Sequence, residues 1–206
     1  GKFKIISQSS IAAGVRRVEA LRDKQLDDYL KNKEKLSNLS SEKNEEEIEN
    51  LTKEIMNLGG KPNLNETDQK ILIKNLNKQL ETLSIKLILN DKTKNIIKDE
   101  VVKGIKVRFQ NVKGLPSKEL RKLVDDGKKE LGAGIVVVFA NKDDKVGVAV
   151  GVTNELTKKF DAVKLVKLSS EIIGGQGGGG RKDFAQAGGQ DSTKIDQAFK
   201  EIVKSI

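Results

Sequence analysis

Fifteen of the 19 glycines in this 206-residue chain fall after residue 101. Glycine costs a helix interior about 1 kcal/mol relative to alanine. The glycine-poor part is therefore free to form long helices, and the glycine-rich part must be built of turns, strands and short helices. Charge divides at the same place. Residues 1–101 carry 19 basic and 17 acidic groups, whereas residues 102–206 carry 20 and 13. The basic half, at net +7, points to an acidic partner, nucleic acid first.

In the first half, Ile48, Leu51, Ile55 and Leu58 are spaced 3, 4, 3, and Ile73, Leu76, Leu80, Leu83 and Leu87 are spaced 3, 4, 3, 4. These are seam positions of a heptad repeat. Gly59-Gly60-Lys61-Pro62-Asn63 separates them as a stop and turn. Upstream, Val15, Val18, Leu21, Leu26, Tyr29, Leu30, Leu36 and Leu39 predict one helix starting near Ser10. Residues 10–101 thus read as a helical hairpin, antiparallel because its connection is short. Its narrow stripe calls for a partner seam or a second chain, so a homodimer is compatible with it. The run Glu45-Glu46-Glu47 reads as a solvated face.

The second half, 102–206, alternates between element types. Ile105-Lys106-Val107-Arg108-Phe109 has strand period. Ser117 opens a helix that buries Leu120, Leu123, Val124 and Leu131. Residues 135–140 form an apolar β-branched run expected in a central strand, and 146–152 return from it. Helices follow over 161–173 and from about Ser192. The fold class is mixed α+β: a long antiparallel helical hairpin, then a small α/β domain on a mixed sheet.

Zero Cys and zero His remove disulfides, thiolate zinc sites and the commonest general base. No run of about 18 apolar residues predicts a membrane span. Gly1, in place of an initiator Met, reads as the start of an excised piece of a longer protein. The informative segment is 174–189, in which eight of 16 residues are glycine. A flexible linker would not enclose Arg181-Lys182-Asp183-Phe184 between two helices of one domain. Gly175, Gly177 and Gly180 match a dinucleotide fingerprint, but no strand precedes them and only 26 residues follow, too few for a βαβ unit. An ATPase phosphate loop needs Lys then Ser/Thr where Arg181-Lys182 stand. What remains is a glycine loop that lets backbone approach a large anion. Gly177, Gly178, Gly179, Gly180, Gly188 and Gly189 supply the backbone, Arg181 and Lys182 the charge, and Gln186 an amide for base or ribose edges. Lys128, Lys129, Lys158 and Lys159 form a secondary basic surface. Phe184 is the one aromatic available for stacking, which favours folded RNA over single strands.

Residues 177–189, GGGGRKDFAQAGG, resemble the signature of the DHHA1-type C-terminal domain of alanyl-tRNA synthetases, shared with DHH phosphoesterases. Arg181 stands where the phosphoesterases usually carry His, and Lys182 replaces the usual Pro of the synthetases. Residues 3–6 and 11–20, through Gly14-Val15-Arg16-Arg17, resemble the end of the synthetase editing domain. The resemblance implies a division into a tail of the editing domain over 1–22, the helical linker and the DHHA1-type domain. It also implies contact with tRNA(Ala) at the outer corner of the L, coupling of aminoacylation to editing, and a cytoplasmic setting without membrane. The ATP, magnesium and zinc of the parent ligase then belong upstream, with no catalytic residue, metal or cofactor in this piece. Arg16 and Arg17 also read simply as surface charges pairing with Glu19 and Asp23. Two other readings stand beside this one: the accessory domain of a DHH-type phosphoesterase, and a pure coiled-coil assembly module.

Overall fold

The computed structural model describes residues 1–206, which divide into two compact units, 1–83 and 84–206. The first opens with an antiparallel strand pair, β1 (Phe3–Ala12) and β2 (Val15–Arg22), joined through Ala13-Gly14. A helix was expected from Ser10. Gly14, at φ +80°, closes a tight turn there instead, and helix α1 (Asp23–Asn57) starts only after β2. Phe3, Ile5, Ile11, Val15 and Val18 of this pair are exposed.

Helix α2 spans Gln69–Asn90. Within the first unit, Leu51, Ile55, Leu72 and Leu76 are buried together, with Ile48, Ile73, Leu80 and Leu83 packed around them. The two helices are parallel, which corrects the antiparallel expectation. At one end the side chain of Gln69 meets Asn44 and Ser41. At the other, Gly60 lies against both Ile55 and Leu83. Positions along α1 and α2 therefore rise together. The connection runs back along α2, held where Gln79 Nε2 donates to Lys61 O at 2.6 Å and Gln79 Oε1 accepts from Asn63 N–H at 3.1 Å. Asn44 and Gln69 stand 25 residues apart; carried along, that offset layers Ile48 with Ile73, Leu51 with Leu76 and Ile55 with Leu80. The two helices thus pack side by side at one constant offset, and the Asn44–Gln69 polar layer is a device that fixes such a register.

The second unit is a six-stranded mixed sheet in the order β3-β4-β5-β6-β8-β7. The strands are β3 (Asn95–Val102), β4 (Ile105–Lys113), β5 (Ile135–Lys142), β6 (Lys145–Val152), β7 (Gly178–Arg181) and β8 (Phe184–Gly189). Only β4 and β5 are parallel, joined across α3 (Leu120–Leu131). The helical reading to residue 101 fails at β3, which turns into β4 through Lys103-Gly104, both at positive φ. Two apolar layers sandwich the sheet. Helices α4 (Ala162–Ile172) and α5 (Ile195–Ser205) cover Val107, Phe109, Val137, Phe139, Val148 and Val150 on one face. On the other, α3 and the end of α2 (Ile85, Ile88, Leu89) cover Val112, Val136, Val138 and Ala149. Asp161 caps α4, accepting from Val163 N–H at 2.9 Å.

Arg108 ties edge strand β3 to the domain. Its guanidinium grips Asp99 with two hydrogen bonds of 2.7 and 2.8 Å and also meets Glu130 of α3. The Arg108 hydrogen bond holds the Asp99 carboxyl below its ordinary value of 3.8. A depressed carboxylate stabilises the fold above that ordinary value, and the gain is lost as pH falls through the folded one. Asp99→Asn should therefore lower stability at pH 7 by about 1 kcal/mol, modest because Asp99 is half exposed. Paired thermal melts should show the gap to the parent closing as pH drops below 3.8.

Candidate nucleic-acid interface

The glycine segment is a β-hairpin at the sheet edge, not an open loop. Gly178, Gly179, Gly180 and Arg181 pair with Ala187, Gln186, Ala185 and Phe184, and β8 pairs in turn with β6. Lys182-Asp183 is the turn. It is fastened at three points: Ala162 N–H donates to Lys182 O at 3.0 Å, Val152 N–H to Asp183 O at 3.0 Å, and Lys128 Nζ to Asp183 O at 3.3 Å. The far end is pinned by Ser170, fully buried on α4. Its hydroxyl accepts from Gly177 N–H at 3.3 Å and donates to Gly188 O at 3.0 Å. Nothing in the sequence pattern marked Ser170 as the pin.

Strand alternation separates the glycines by role. Gly178 and Gly180 face the α4 side and are packed: a Cβ would come within 2.4 Å of Ala187 Cβ at the first and 2.3 Å of Phe184 O at the second. Gly189 is likewise closed by Ile173, at 2.4 Å. These three are glycines for packing. Gly179 faces the α3 side, its φ is not positive, and a Cβ there would meet nothing within 4 Å. Gly188 shares that face, with Val146 O at 3.7 Å the one atom within range of a Cβ. Gly177, at φ +108°, opens the hairpin.

The α3 side of β8 and β7 is consequently a shelf. Helix α3 lies over β5 and β6, let down onto β6 by Gly147 and Gly151, where a Cβ would meet Ser117 and Val124. It reaches β8 at Phe184, and beyond that contact, beside Gly178, Gln186 and Gly188, runs a cleft of about 390 Å³ also lined by Ser117 and Lys118. Gly179, Gly188, exposed Gln186 and exposed Arg181 form the floor. Phe184 is buried rather than offered as a stacking platform, and Arg121 of α3 sits 5.0 Å above its ring centroid. Arg181 binds bidentately within its own hairpin, to Asp183 at 3.0 and 3.2 Å. That contact holds the Asp183 carboxyl below the usual range and leaves most of the Arg181 side chain in solvent. Lys182 is exposed at the turn.

Of the secondary basic residues, only Lys128 joins the hairpin. Lys129 lines a different cleft, with Asp125, Thr153 and Glu155. Lys158 and Lys159 lie exposed after the 3-10 turn Asn154–Leu156. No group of three acidic side chains comes together to hold a metal, and no helix is long and apolar enough to cross a membrane.

The DHHA1 domain family matches residues 104–206. The chain is similar along nearly its whole length to alanine–tRNA ligases: 34% identical to that of Hyphomonas neptunium and 35% to that of Haemophilus influenzae, each over 97% of this chain. It is 47% identical over 106 residues, 51% of this chain and 12% of the relative, to that of Bradyrhizobium diazoefficiens. In the first two cases it spans 22% of the relative's length. Among solved structures, the C-Ala domain of Aquifex aeolicus alanyl-tRNA synthetase aligns with 52% of this chain and 96% of its own, at 29% identity and TM-score 0.49.

Proposed function

We propose that this chain, which belongs to the DHHA1 domain family, is the C-terminal part of a cytoplasmic alanine–tRNA ligase and grips tRNA(Ala) at the outer corner of the L. Similarity to such ligases over 97% of the chain supports the parentage. The glycine shelf carries the binding assignment. The open positions at Gly179 and Gly188 admit a bulky polyanion close to the backbone, and the cations beside them attract phosphate. With Phe184 buried, the shelf lacks the aromatic platform that single strands stack on, so folded RNA recognised by shape is the better fit. Holding the tRNA corner would keep one acceptor end within reach of both the charging and the editing centres of the longer protein, which is how this piece would couple them. Self-association is assigned to α1, where residues 31–40 are all exposed, Leu36 and Leu39 among them.

Zinc of the parent ligase would find no thiolate or imidazole ligand among these residues, because the chain lacks His and Cys.

Titration of the chain with a tRNA(Ala) transcript and with a single-stranded RNA of equal length tests the reading. The transcript should bind more tightly, with affinity falling as salt rises. Arg181→Ala should cost about 1–3 kcal/mol of binding while the melting temperature stays near that of the parent, since the Arg181–Asp183 pair is exposed. Equal affinity for the two RNAs, or none for either, would sink the proposal.

A further inference from the structure

The glycine hairpin carries one ion pair, and that pair leaves most of its donors unused. Arg181 ends β7 and Asp183 is the second residue of the turn, so the two side chains meet across a single residue. Asp183 takes one side of the guanidinium: Nε donates to Oδ1 at 3.0 Å and Nη2 to Oδ2 at 3.2 Å. A guanidinium has five N–H donors in a fixed fork. Two are engaged here, which leaves both hydrogens of Nη1 and the second of Nη2. The Arg181 side chain is 69% exposed against 31% for Asp183, so solvent reaches the arginine's remaining donors. Asp183 is the fixed member of the pair. Its carbonyl O accepts from Val152 N–H at 3.0 Å and from Lys128 Nζ at 3.3 Å, and a short side chain keeps little freedom once its backbone is held. Arg181 has no such support. Its strand neighbours Gly179 and Gly180 offer no side chain to pack against, and a free arginine has much rotamer entropy to lose. The Asp183 carboxyl is held below the usual range, by the Arg181 hydrogen bond first and by the Lys128 charge more weakly, so the grip persists at neutral pH.

We propose that Asp183 is a positioning residue of the RNA site: it holds the Nε side of the Arg181 guanidinium so that the Nη1 side is presented to a backbone phosphate of the RNA on the shelf. The proposal rests on the tRNA-binding reading and deepens it by one residue. Arg181 enters as a paired group. What it offers is the edge left over, Nη1 with the second hydrogen of Nη2, in the fork geometry that suits a phosphate. Fixing the arginine in advance spares the complex the cost of immobilising it, worth roughly 2- to 13-fold in affinity for one rotamer-rich side chain. Charge alone predicts the opposite. The carboxylate repels phosphate, so removing it should tighten binding. The two effects differ in sign, and only the first depends on Arg181.

The test is a double-mutant cycle on binding of the tRNA(Ala) transcript by the full 206-residue chain, with Asp183→Ala made both in the parent and in Arg181→Ala. Loss of the positioning contact should weaken binding in the parent by roughly 2- to 13-fold more than in the Arg181→Ala background, where the carboxylate has no guanidinium to orient. In that background only the lost negative charge acts, and affinity should hold or rise. A role confined to the hairpin fold would weaken both backgrounds alike, and a carboxylate that competes with phosphate for Arg181 would tighten the parent more. Either result overturns the proposal. Melts of all variants check folding, and Asp183→Asn takes the place of Asp183→Ala in the cycle if the latter melts early. A parent that binds no tRNA removes the underlying reading; a parent that binds without this coupling removes only the proposal.

Discussion

Leu76→Asp should unfold the packed α1–α2 helix pair while leaving the sheet domain folded. Leu76 and Ile55 are fully buried at the centre of a small cluster, with Leu51 and Leu72 as the other buried members. Removing a buried leucine side chain alone costs about 2–5 kcal/mol, and an uncompensated charge in its place adds a desolvation penalty of several more. A core of four buried side chains has little reserve against such a penalty. Circular dichroism at 222 nm should show loss of helical signal at room temperature. Amide exchange within β4, β5 and β6 should remain slow, because their protection comes from separate apolar layers. Leu87→Asp, at an exposed position of the same predicted seam, should change neither. Retained helicity in Leu76→Asp would remove the parallel packing of α1 and α2.

That packing was visible in the sequence in a form easily misread. The 3, 4, 3 series at 48–58 and at 73–83 are the same series displaced by a constant interval, as a parallel register requires. The glycine-proline break suggested a tight antiparallel turn, but residues 61–68 form a longer irregular connection back along the helices, and such a connection carries no hydrophobic signature. The first strand pair was hidden differently. Val15, Val18 and Leu21 recur every three residues, which imitates a helix, and neither strand has the buried face that produces alternation. The turn signals at Ala13-Gly14 and Lys103-Gly104 were the available clues to β2 and β3. By contrast β5 and β6 were legible as apolar runs buried on both faces, and α3 because its apolar positions follow the helix period. The glycine hairpin is the instructive case. Side chains report strand period, and β7 has almost none, so its pairing emerges only from Ala185 and Ala187 alternating beneath it. Which glycines pack and which stand open depends on that register. So does the meeting of Lys118 and Arg121 with a hairpin about 60 residues further along the chain.

Two neighbouring substitutions separate the shelf from its scaffold. At Gly180 a Cβ would lie 2.3 Å from Phe184 O with φ at +152°, so Gly180→Val should cost about 3 kcal/mol or more through strain and overpacking together and loosen the hairpin. At Gly179 the same change meets open space in an extended strand, where valine is favoured, so stability should move by less than about 0.5 kcal/mol. On the proposed reading, however, the valine stands on the floor that RNA would approach. Its binding penalty should be about 1–3 kcal/mol, roughly 5- to 150-fold in Kd. Titration of Gly179→Val with a tRNA(Ala) transcript, beside its melting curve, is the decisive measurement. An unchanged melt with affinity down about fivefold or more is the result expected of a glycine shelf that binds RNA; an unchanged melt with parental affinity would contradict it.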